Sequence, residues 1–104
     1  MSMEKFLRLM VEKGGSDLFI TAGVPPSMKV NGKIFPLNKN PLPPEQVQAI
    51  VYGLMNDNQQ EEFDETKELN FAINASGIGR FRASAFFQRN VCALVLRRTE
   101  TKIP

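Results

Sequence analysis

The chain of 104 residues contains no histidine. That removes imidazole acid–base catalysis, Ser-His triads and histidine metal ligation together. Its one cysteine, Cys92, can form no internal disulfide and cannot build a zinc site. Lying within the apolar run Val91–Leu96, it reads as a buried, inert thiol of a cytoplasmic protein. No Gly-x-x-x-x-Gly-Lys-Ser/Thr sequence occurs, so the chain has no loop of its own to cradle nucleotide phosphates. No apolar run approaches the roughly 20 residues that span a bilayer. The opening MSMEKFLRLMVEKGG carries acids and no small-residue cleavage site, unlike a secretory signal. Taken alone, the chain is expected not to be an enzyme.

What is present suits one compact α+β domain. The content of 42% hydrophobic and 23% charged residues is that of an ordinary soluble fold. The net charge of +2 is too small to imply nucleic-acid binding, but it is unevenly spread. Residues 1–75 carry seven Lys/Arg against ten Asp/Glu, a balance of −3. Residues 76–104 carry Arg80, Arg82, Arg89, Arg97, Arg98 and Lys102 against Glu100 alone, a balance of +5.

Periodicity predicts nine elements. Met3–Lys13 has helical spacing of Met3, Phe6, Leu7, Met10 and Val11, and Gly14-Gly15 ends it. Ser16–Ala22 alternates as a strand. Met28–Asn31 and Lys33–Leu37 flank the hairpin signal Asn31-Gly32. After a proline-rich connector, Pro44 opens a helix with the stripe Val47, Ile50, Val51, Leu54 and Met55. Asn56–Lys67 is a short acidic helix held by Phe63. Three strands close the chain at Glu68–Asn74, Arg80–Arg89 and Val91–Arg98, the last apolar enough to be central. The order α-β-β-β-α-α-β-β-β argues a mostly antiparallel sheet with helices on one face.

The penultimate strand, GRFRASAFFQR, has two faces. Phe81, Ala83, Ala85 and Phe87 point to a core, while Arg80, Arg82, Ser84 and Gln88 point away from it. A solvated sheet face accounts for such arginines; so does a docking site for an anion. Phe86 falls with the arginines, too few rings for a base-stacking platform. Asp17, beside Ser16, reads as a turn or cap carboxylate with no identifiable partner. Tyr52 reads as a packing residue. The acids Asp57, Glu61, Glu62, Asp64 and Glu65 read as a solvated face, or alternatively as a docking surface.

The segments Gly15-Ser16-Asp17-Leu18-Phe19-Ile20-Thr21-Ala22-Gly23-Val24-Pro25-Pro26 and Met28-Lys29-Val30-Asn31-Gly32 resemble the start of the PilT/PilU family of type IV pilus retraction ATPases. Leu69-Asn70-Phe71-Ala72, Gly79-Arg80-Phe81-Arg82 and Phe86-Phe87-Gln88-Arg89 are similar to later parts of the same domain. Met10–Ile20 looks closer to the PilU branch than to the PilT branch. The resemblance implies a PAS-like N-terminal domain at 1–98, then a linker beginning at 99–104 that leads to a RecA-like ATPase domain. It implies ATP and Mg²⁺ in the full-length protein, and none bound to this stretch. It also implies a homohexamer at the cytoplasmic side of the inner membrane, with a paralogous retraction motor and the pilus platform as partners and no nucleic acid. Within such a ring, Arg80, Arg82, Arg89 and Arg97 are the candidates for nucleotide phosphate contact, with no metal ligands. A free-standing PAS-type ligand sensor and a small nucleic-acid-binding module are the competing readings.

Overall fold

A computed structural model describes residues 3–99. The nine elements stand in the expected order: α1 (Met3–Lys13), β1 (Asp17–Thr21), β2 (Ser27–Val30), β3 (Lys33–Pro36), α2 (Pro44–Gly53), α3 (Asp57–Thr66), β4 (Glu68–Ala75), β5 (Gly79–Gln88) and β6 (Val91–Arg98). Apart from Thr99, the expected linker lies outside the described residues.

The six strands form one sheet in the order β3-β2-β1-β6-β5-β4, every named pair antiparallel. Its apolar face carries Leu18 and Ile20 from β1, Phe81, Ala83 and Ala85 from β5, and Leu94 and Leu96 from β6, all buried. Register aligns them in rows: Leu18 beside Leu96 beside Ala83, and Ile20 beside Leu94 beside Ala85. Phe6, Leu7 and Met10 of α1, Val47 and Val51 of α2, and Phe63 of α3 complete the same cluster. The helices therefore share one face of the sheet. β6 is central, as its apolar composition predicts.

Local signals explain the joints. α1 ends in a Schellman pair, with Gly15 N–H donating to the Met10 carbonyl (2.7 Å) and Gly14 N–H to that of Val11 (3.3 Å). Gly14 supplies the left-handed residue at φ 68°. A Cβ on Gly15 would lie 2.6 Å from Met28 Sδ, so any side chain there would force the buried Met28 to shift. Asn31 (φ 51°) and Gly32 (φ 81°) turn the β2–β3 hairpin. Arg89 (φ 54°) and Asn90 (φ 65°) make a second two-residue turn, so β5 ends one residue before its expected limit. α3 opens with a capping box in which Asn56 and Gln59 exchange side-chain-to-backbone hydrogen bonds of 2.8 and 3.0 Å.

Tyr52 does more than pack. Its ring meets Phe63 edge-on at 5.6 Å, and Phe63 meets Phe87 at 4.9 Å. Its hydroxyl donates to Asp64 Oδ1, tying α2 to the acidic face of α3. Burial first, and then the Asp64 hydrogen bond and charge, push its pKa from 10.0 up to about 12. As the only tyrosine in a chain without tryptophan, it can be titrated by ultraviolet absorbance without interference. The phenol should ionise near pH 12 when folded and near 10 in urea. A folded pKa above the unfolded value makes this stabilisation complete below pH 10 and lost as pH climbs toward 12. A folded-state midpoint near 10 would contradict the Tyr52–Asp64 contact.

Candidate functional site

The sheet face away from the helices holds the basic side chains. Strand alternation puts Arg80 and Arg82 of β5 and Arg97 of β6 on it, with Lys29 of β2 and Asp17 of β1. Cross-strand register then lines them up: Lys29 opposite Asp17, Asp17 opposite Arg97, and Arg97 opposite Arg82. The next row toward the other end of the strands is Phe19, Val95, Ser84 and Asn70. Arg82 and Arg97 border a depression of about 380 Å³ floored by Ser84, Val95 and Asn70.

Asp17 reaches this row through a short chain of backbone contacts. The Schellman turn delivers Ser16, whose N–H donates to the Lys29 carbonyl at 2.8 Å and whose carbonyl accepts from Arg98 N–H at 3.0 Å. Asp17 Oδ2 then lies 3.5 Å from Arg97 Nε, and Ser16 Oγ donates to Asp17 Oδ1 at 2.7 Å. The Asp17 side chain is only 14% exposed and that of Arg97 is 74% exposed. Among the described residues, no carboxylate forms an ion pair with Arg82.

The four arginines singled out from sequence thus separate. Arg82 and Arg97 are brought together as a cross-strand pair. Arg80 sits one strand repeat away on the same face, where its Nε donates to Asn74 Oδ1 at 2.9 Å. Arg89 is not with them: it occupies the β5–β6 turn, roughly 20 Å along the strand from Arg82. There it borders a different hollow, of about 450 Å³, with Thr21, Gly23 and Cys92. Burial pushes the Cys92 thiol up to about 11, consistent with an inert side chain.

Sequence reasoning missed Asp17 as a site residue. Its partner is 80 positions away, and only the β1–β6 register reveals it. Its one visible signal is strand alternation, which sets it opposite Leu18 and Ile20. A larger hollow of about 690 Å³ lies between α1 and the β2–β3 hairpin, but its lining of Leu9, Met28, Val30, Phe35, Pro36 and Leu37 has Lys13 as its one charged residue. The arginine face is the place with chemistry. Two guanidinium forks offer donors suited to paired phosphate or carboxylate oxygens. Among the described residues, no group of three or more acids or cysteines could hold a metal ion.

No protein-family model matches the chain. The type IV pilus ATPase PilU of Pseudomonas aeruginosa is 66% identical over 104 residues, covering 100% of this chain and 27% of that protein. The type IV pilus retraction ATPase PilT of the same organism is 36% identical over 103 residues, or 99% of this chain and 30% of the relative. Among solved structures, the pilus retraction motor PilT with bound ADP aligns with a TM-score of 0.92 at 30% identity, over 100% of this chain and 31% of that one. The Legionella pneumophila ATPase DotB shares the fold, with a TM-score of 0.80 at 18% identity over 98% of this chain and 29% of that one. The chain spans less than a third of the length of each of these proteins.

Two like charges directly opposite each other destabilise a sheet unless something binds between them. Replacing Arg82 by Gln should therefore stabilise the isolated domain by about 0.5 kcal/mol at low ionic strength, and the gain should vanish near 1 M salt. Urea unfolding at the two salt concentrations checks this. A loss of stability in Arg82→Gln at low salt would contradict it.

Proposed function

Because the chain belongs to the PilT/PilU family of type IV pilus ATPases, we propose that it works as the N-terminal domain of a pilus motor subunit and lends Arg82 and Arg97 to the phosphates of ATP. The observation that carries this reading is the in-register Arg82–Arg97 pair on the helix-free face, with Asp17 as its one carboxylate partner among the described residues. An arginine pair left short of counter-charge suits an anion that arrives from outside the domain. ATP would be held mainly by an ATPase domain following the linker at 99–104, and the domain itself comprises residues 1–98. When bound, the nucleotide supplies the phosphoanhydride and the charge that grows on its γ-phosphate during transfer. Arg82 and Arg97 offset that charge and orient the oxygens. Coupling follows, because a phosphate that bridges the two domains ties their relative position to the state of the nucleotide.

The same reading places the domain in a homohexamer, where it contacts its own ATPase domain and a neighbouring subunit. It acts at the cytoplasmic side of the inner membrane beside the pilus platform and a paralogous motor. Mg²⁺ would accompany the ATP in the full-length protein. A PAS-type sensor is not favoured: no polar or charged residue is buried among the described residues, leaving nothing to recognise a ligand inside the core. A nucleic-acid module is not favoured either, since the basic face is a short row of charges with half-buried Phe19 and Phe86.

In the full-length protein, Arg82→Ala and Arg97→Ala should each lower ATP turnover by roughly tenfold to a thousandfold while the domain stays folded. Arg89→Ala should leave turnover within about twofold of wild type, as expected for surface changes away from a site. Wild-type turnover in Arg82→Ala would overturn the assignment.

A further inference from the structure

We infer that Asp17 is a positioning residue for the phosphate contact of Arg97, an inference that rests on the nucleotide reading above. A lone ion pair at the surface ordinarily contributes little, so the details of this one decide the matter. Asp17 is the fixed partner. Its side chain is largely buried, and Ser16 Oγ holds one of its two oxygens at 2.7 Å. The other oxygen meets Arg97 at Nε, 3.5 Å away. A guanidinium engaged at Nε keeps its two terminal nitrogens free, and those form the fork that pairs with phosphate oxygens.

Strand order adds a second consequence. β6 lies between β1 and β5, so Asp17 and Arg82 flank Arg97 on opposite sides. The carboxylate draws the Arg97 head group toward β1, away from Arg82. Arg82 and Arg97 then border the depression over Ser84 and Val95 from adjacent strands. One arm of the site is thereby anchored and the other, Arg82, is free to close on the ligand. Ser16 and Asp17 thus act on the nucleotide through Arg97 and never touch it.

The test is a double-mutant cycle in the full-length protein, with affinity for the non-hydrolysable analogue AMP-PNP measured by calorimetry and melting temperature recorded for each variant. Asp17→Asn should weaken binding about five- to tenfold when Arg97 is present and less than about twofold in an Arg97→Gln background. Asp17→Glu should recover most of the loss, because it keeps the charge. If Asp17→Asn does not fold, Ser16→Ala replaces it, with a loss of about twofold that likewise disappears without Arg97. Equal losses in both backgrounds, or no loss in either, would overturn the positioning role while the nucleotide reading stands. Wild-type affinity in Arg97→Gln alone would instead remove the nucleotide reading, and this inference with it.

Discussion

The register of β6 against its two neighbours is the constraint on which everything else here depends. β6 pairs with β1 over five positions and with β5 over eight. A slip of one residue on either side would exchange the faces of the whole strand, sending Leu94 and Leu96 to the open side and Arg97 into the core. The cost of burying an unpaired guanidinium is far larger than any gain from a shifted ladder, so the hydrophobic rows and the charged row fix each other. The same alignment that stacks Leu18, Leu96 and Ala83 under the helices stacks Asp17, Arg97 and Arg82 on the far side.

Division of labour between faces follows from that alignment. Among the described residues the helix-covered side is almost purely apolar, which gives a small domain a single cohesive core with no buried polar groups to satisfy. The open side can therefore carry an arrangement that does not favour stability, two arginines side by side. α3 contributes differently: Phe63 plugs the core, while Tyr52 and Asp64 lock the acidic helix to α2. Its acids are exposed and lie on a separate element from the arginine row.

Much of this was legible in the sequence, and most of what was not has one physical cause. All nine elements and the central place of β6 follow from periodicity, turn residues and composition. So does the placing of Arg80 and Arg82 opposite a core face. Contacts between segments distant in sequence were not legible, because alternation assigns a face to each residue but not a neighbour. Asp17 reads as a partnerless carboxylate until β1 lies against β6, and only register sets Arg97 beside Arg82. Arg89 read as a strand terminus, yet it occupies a left-handed turn position that nothing short of the backbone conformation reveals. Tyr52 read as packing, because its Asp64 partner sits on the next helix.

The most direct test of the account is chemical. Full-length protein treated with an arginine-specific dicarbonyl reagent, with and without bound ATP analogue, can be mapped residue by residue by mass spectrometry. Bound nucleotide should shield Arg82 and Arg97 together while Arg89 reacts at an unchanged rate. Equal labelling of Arg82 and Arg97 in the presence and absence of nucleotide would contradict it.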